Sequence, residues 1–234
     1  MIVEKKNIFL TQTVETMPYT STSRPIGTNY PKRTVATHAA FIQRKLQECY
    51  TNSLTQRQVA AIRYKEGTYL EFSSAKGHDL AIKSLESRKS GIRLLNVRED
   101  EENDIIKATV YIPAGKESFF LKKVETYASE QTSKGSPKNN DLVRSIDDIK
   151  IAMLDSFWVG KPETMPEDVP VWCEIWLRYD FNNNNSKAWE ETEENILSIC
   201  SEHQIHIDEK HIIFPERIIK MVLANAEQLK LLIA

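Results

Sequence analysis

The apolar positions between residues 34 and 50 recur at helical spacing. Val35, Ala39, Ile42, Leu46 and Cys49 fall four and three apart and share one face of a predicted helix. Lys32, Arg33, Arg44, Lys45 and Glu48 form its wet side. Ahead of it, residues 1–33 are rich in Thr, Ser and Pro and carry no period, which predicts an extended arm. Further on the period shortens to two. Residues 58–64 and 68–72 read as the strands of a hairpin turned at Lys65-Glu66-Gly67, with the glycine supplying a positive φ. Residues 79–87 read as a short helix. Residues 91–99 and 105–112 read as strands around an acidic turn, with Ile106, Ala108, Val110 and Ile112 on a buried face.

In the second half, residues 116–130 predict a helix with Phe120, Val124 and Tyr127 in register, followed by a linker-like polar stretch, 131–140. Asn140 or Asp141 caps the next predicted helix, striped by Leu142, Ile146, Ile149, Met153 and Phe157. Residues 169–180 are the strongest strand: Val171, Cys173, Ile175 and Leu177 face one way, Trp172 and Trp176 the other, and both faces are expected to be covered. A helix over 186–203, a strand over 211–214 and a helix begun by Pro215 complete the chain.

This order predicts an α+β fold: a ferredoxin-like βαββαβ plait with an antiparallel sheet, an N-terminal arm and helix, and a C-terminal β-α-β-α extension. The expected division is an arm over 1–33, a helix and plait core over 34–131, and a part over 139–234 that completes the sheet or forms a second small subdomain.

Charge narrows the partners. With 31 Lys+Arg against 33 Asp+Glu, no net field draws the chain to nucleic acid or an anionic membrane. No window reaches the roughly 20 apolar residues of a membrane span, and Ile8–Leu10 is too short for the core of a signal peptide, so a cytoplasmic location is expected. Three widely spaced cysteines, Cys49, Cys173 and Cys200, fit reduced thiols.

The chemistry is sparse. His203, His206 and His211 cluster near Cys200, but their spacing is looser than zinc sites use, and the expectation is no metal and no cofactor. Neither a G-x-S-x-G elbow nor a phosphate-binding loop occurs. Trp172 and Trp176 could stack bases as sheet-based RNA binders do. Glu174 between them, where a Lys or Arg would serve that purpose, favours core packing under a helix. In the arm, Arg24, Lys32, Arg33 and His38 set basic groups beside Pro25, Ile26 and Tyr30, a composition suited to docking on a partner.

Residues 24–48, with Pro31, Arg33, His38 and Leu46 at the matching places, resemble the opening of large bacterial subtilisin-like serine peptidases, a group often encoded beside an AAA-type ATPase. Residues 55–74, 91–100 and 169–180 are similar to that group as well, so the resemblance covers most of this chain but only the front of a full-length member. The motifs of the catalytic domain do not occur: His78 is followed by Asp79, and Asp155 by Ser156-Phe157. The resemblance implies a non-catalytic, propeptide-like region that binds the downstream protease domain, in keeping with the ferredoxin-like fold of subtilisin propeptides. The alternative is an interaction module recruiting a separate partner such as the ATPase. Arg24, Arg33, His38, Trp172 and Trp176 are the candidate partner-binding residues.

Overall fold

The computed structural model describes residues 29–60, 67–179 and 188–233, with the backbone alone over 54–60. The chain is α+β, built on two antiparallel sheets. Helix α1 (Val35–Ala60) comes first and buries Ala39, Ile42, Leu46 and Cys49, the face its spacing predicts. It runs on through Gln58-Val59-Ala60, so the hairpin expected there does not form; residues 61–66 lie outside the described residues. β1 (Gly67–Ser73) pairs instead with β3 and β4. Gly67 serves for space and not for a turn, because a Cβ there would meet the Tyr111 ring at 2.1 Å.

Two short 3-10 turns, Ile82–Leu85 and Arg88–Ser90, stand where a helix is expected. β2 (Arg93–Asp100) and β3 (Ile105–Pro113) follow as predicted, and α2 (Ser118–Ser129) buries Phe120, Val124 and Tyr127. The stretch expected to be a linker is a closed loop: Gln131 bridges Pro137, and Lys138 N–H bonds to the Glu130 carbonyl at 3.0 Å. The helix predicted after it stops early. α3 (Asn140–Ser145) ends before Ile146, and β4 (Asp148–Ile151) joins the sheet with Ile149 buried. Buried Ile146 and Ile149 imitate a helical stripe, and four residues are too few for alternation to show.

The first sheet therefore runs β2-β3-β1-β4, the strand order of a ferredoxin-like plait, with the short β4 and not the Trp-rich strand as its last member. α1 and α2 pack side by side on one face. The arm's end is locked to this layer. Arg144 donates to the carbonyls of Pro31 (2.7 Å) and Tyr30 (3.0 Å), and Arg33 pairs with Asp147. His38 is buried and its Nε2 donates to the Val143 carbonyl at 3.0 Å; burial, the largest influence, pulls its pKa down, so the ring is neutral at pH 7.

The other face of the plait is crossed by α4 (Leu154–Phe157) and Trp158. Thr109 Oγ1 and Asn96 Nδ2 donate to the Ser156 carbonyl at 2.9 and 3.0 Å, and Arg98 Nη1 donates to the Trp158 carbonyl at 3.2 Å. Beneath them Glu71, 3% exposed, is neutralised by Arg98 at 2.7 Å and Lys150 at 3.4 Å.

The remainder forms β5 (Val171–Arg178), α5 (Ala188–Glu202), β6 (His206–Phe214), β7 (Arg217–Ala224) and α6 (Ala226–Leu231), with the sheet ordered β5-β7-β6. The extension is thus β-α-β-β-α and not β-α-β-α. Pro215-Glu216 turns a hairpin, Glu216 taking a left-handed φ of 64°, because proline suits the first position of a turn as well as the first turn of a helix. What disguised β7 is Lys220, 2% exposed in the alternating buried set Ile218, Lys220, Val222, Ala224. With Arg217 it gives a polar spacing of three that reads as helical.

The two sheets meet at the bulge of edge strand β2, between Leu94 and Asn96. Arg178 donates to the Leu94 carbonyl (2.8 Å) and Arg217, its partner across β5 and β7, to the Leu95 carbonyl (3.2 Å). Arg178 also pairs with Glu86 and Glu216 at 3.2 and 3.3 Å. Truncating Arg178 strips the part-buried Leu94 carbonyl and the Glu86 carboxylate of a donor and leaves Glu216 to Arg88 alone, so Arg178→Leu is expected to cost about 1–3 kcal/mol. Urea unfolding checks this: the midpoint should fall with an unchanged slope.

Candidate functional site

Alternation along β5 sends Cys173 into a core with Ile196 and Cys200 of α5, Val222 and Ala224 of β7, Leu229 of α6 and Leu154 of α4. Among the described residues no helix lies over the opposite side. Trp172 is 49% exposed and Trp176 57%, which overturns the expectation that both faces of this strand are covered. The register makes them part of a continuous face. Trp172 lies opposite Leu223, Glu174 opposite Met221 and Trp176 opposite Ile219 on the central strand, while His206 and Ile212 of β6 flank Leu223 and Ile219 from the far side.

Aromatic pairs arch over β7. The Trp176 and Phe214 rings are parallel within 3° at a centroid distance of 6.2 Å, and Trp172 meets His206 edge-on at 5.3 Å. Phe214 and Ile212 are 47% and 57% exposed. Together with the tryptophans they present on the order of 400 Å² of apolar surface, the size of the largest patches on monomeric proteins and a mark of interaction sites. Trp176 donates its indole N–H to Glu174, which sits exposed between the two tryptophans.

The helix-covered side holds a polar cluster that the sequence did not reveal. Lys220 Nζ reaches Glu193 of α5 at 2.7 Å and the Glu209 carbonyl at 3.3 Å, and His211 Nδ1 donates to the same carboxylate oxygen at 2.8 Å, its ring 5.1 Å from Trp189. Burial pushes the Glu193 carboxyl up, but the hydrogen bonds from Lys220 and His211 outweigh it and hold it below the usual value. With Lys220 enclosed, this cluster fastens α5 to the sheet. His206 and His211 lie on opposite faces of the sheet, His206 on Trp172 and His211 on Glu193, so the histidines cannot share a metal. Among the described residues no group of three or more His, Cys, Asp or Glu could hold one.

Nor are the thiols nucleophiles. Burial pushes Cys49 up to about 11 and raises Cys173 and Cys200 as well, so none supplies thiolate at neutral pH.

The five candidate residues do not converge. Arg24 lies outside the described residues. Arg33 and His38 are spent on fastening the arm, and His38 is out of a partner's reach. Trp172 and Trp176 alone share a surface. Among the described residues no helix is long and apolar enough to cross a membrane. In comparisons with known proteins, neither a family model nor a curated relative matches the chain.

Because the folded-state pKa of Glu193 is depressed, its stabilising contribution is present above about 4.5 and disappears as pH falls through the lower folded value. Glu193→Gln is expected to be less stable than the parent at pH 7, with the gap closing as pH drops below 4.5. Urea titrations of both proteins from pH 7 to pH 3 check this.

Proposed function

We propose that this chain is the non-catalytic N-terminal region of a subtilisin-like serine peptidase of the group encoded beside AAA-type ATPases. In this reading it works in the cytoplasm and holds the downstream protease domain through the Trp172–Trp176 face. The single observation that carries the reading is that open aromatic sheet face. Four large apolar side chains stand about half in water on one face of a sheet. The resemblance supplies the partner's identity, and the plait strand order agrees with the fold it implies.

The contact differs from the one a subtilisin propeptide would make. In this chain the outer face of the plait sheet is taken by Ser156, Phe157 and Trp158, which leaves the second sheet as the docking surface. Binding through the second sheet and not the plait face favours a scaffolding or folding-assistance role over blockage of the active-site cleft. The reduced state of Cys49, Cys173 and Cys200, all unpaired, accords with a cytoplasmic setting.

The test is to mix this chain with the separately expressed protease domain and measure complex formation by calorimetry. Binding is expected, weakened roughly 30-fold or more by either Trp172→Ala or Trp176→Ala, as for central interface aromatics. The urea midpoint of each variant should stay near that of the parent, since both side chains are exposed. A parent chain that does not bind the protease domain overturns the reading, and binding of the AAA-type ATPase through the same two tryptophans would replace it.

A further inference from the structure

The centre of the aromatic face is not apolar. Residues 172, 174 and 176 follow one another on the same side of β5, each roughly 7 Å from the next, so the Glu174 carboxylate stands between two indoles. Indole faces are electronegative and attract cations, Arg above all. The floor is Met221, with Leu223 and Ile219 on either side of it.

None of the described residues supplies a cation to this place. Glu71, Asp100, Asp147, Asp148, Glu193 and Glu216 each have a lysine or arginine partner. Glu174 has none among the described residues, and its one hydrogen bond comes from Trp176. Arg178, two positions beyond Trp176, is held by Glu86, Glu216 and the Leu94 carbonyl, and Arg217 by the Leu95 carbonyl. Beyond the carboxylate the surface turns apolar again, with Phe214 and Ile212 at the Trp176 end and Leu223 beside Trp172 at the other.

We propose that this face binds an extended segment of a partner protein in which one arginine or lysine stands between apolar side chains, the cation lodged over Glu174 between Trp172 and Trp176. The inference rests on the protein-binding reading above and names the chemistry of what is bound. Arginine suits the site better than lysine, because its planar group can stack on an indole while bonding the carboxylate. Charge complementarity also argues against two other occupants. Single-stranded RNA would bring phosphates towards Glu174, and a two-fold pairing of this face with a second copy would bury Glu174 against its own image.

The test uses nine-residue blocked peptides with valine at alternate positions, serine between, and arginine, citrulline or glutamate at the centre. Citrulline keeps the shape of arginine and removes its charge. The arginine peptide should bind about tenfold tighter than the citrulline peptide, and the glutamate peptide weakest. Glu174→Gln should abolish that preference while leaving citrulline affinity in place, and Trp172→Ala should weaken both. Equal affinities, a preference that survives Glu174→Gln, an RNA oligonucleotide that competes with the arginine peptide, or self-association lost on Trp172→Ala would each overturn the proposal. Repeating the Glu174→Gln measurement with the protease domain separates the two readings. Binding indifferent to Glu174, with no arginine preference among the peptides, sinks the cation site and spares the protease reading. An arginine preference without protease binding does the reverse.

Discussion

The arrangement of the two sheets turns on a pair of guanidinium groups. A bulge in edge strand β2 directs the carbonyls of Leu94 and Leu95 outward, where the sheet ladder cannot supply donors. Arg178 and Arg217, register partners on β5 and β7, supply them together. Burial, then the neighbouring Arg178 charge, pulls Arg217 below its usual pKa, yet a guanidinium stays charged at any physiological pH, so the clamp does not release with ordinary titration. Arg178 is on the strand that carries the tryptophans and Arg217 on its neighbour, at the end where the strands meet the plait. Docking thus fixes one end of the aromatic face and leaves the rest open.

The polar connections between layers share a logic. α4 lies across the plait through carbonyls that accept from Thr109, Asn96 and Arg98, while its Leu154 enters the second core. One short segment therefore contributes backbone to one unit and a side chain to the other. Glu193 plays a comparable part on the far side, where one carboxylate gathers a lysine and a histidine and binds helix to sheet. Such groups carry orientation more than stability, since a buried pair roughly repays its own desolvation.

Much of the fold could be read from periodicity where elements were long and their polar residues exposed. α1, α2, β2 and β3 are of this kind, and their buried sets Ala39-Ile42-Leu46-Cys49 and Phe120-Val124-Tyr127 fall where spacing puts them. The failures have physical causes. Lys220 is buried and Ile146 precedes a strand of four residues, and each produces a false three-residue period. The site was half legible: Trp172 and Trp176 stood out, as did Glu174 between them, but apolar side chains on both sides of a strand carry no sign of which side a helix will cover. Only the count of helices over the sheet reveals that. The paired arginines at the bulge gave no local signal, because their acceptors lie 84 and 122 residues away in the chain.

The helical layer of the plait is closed by an element made before the sheet exists. α1 reaches β4 across about a hundred residues: Cys49 Sγ lies 3.7 Å from the Ile149 carbonyl, Lys45 pairs with Asp148 at 2.6 Å, and His38 meets Val143. A chain emerging from the ribosome therefore carries the apolar stripe of α1 incompletely covered, by β1 and α2 but not β4, until residue 151 is free, several seconds after α1 itself at ordinary rates of synthesis. Its 26-residue helix waits for a four-residue strand. This makes the nascent chain, more than the finished protein, the state most exposed to misassociation. It also means that a cut within residues 131–140, however loop-like their composition, would part the first sheet from its fourth strand.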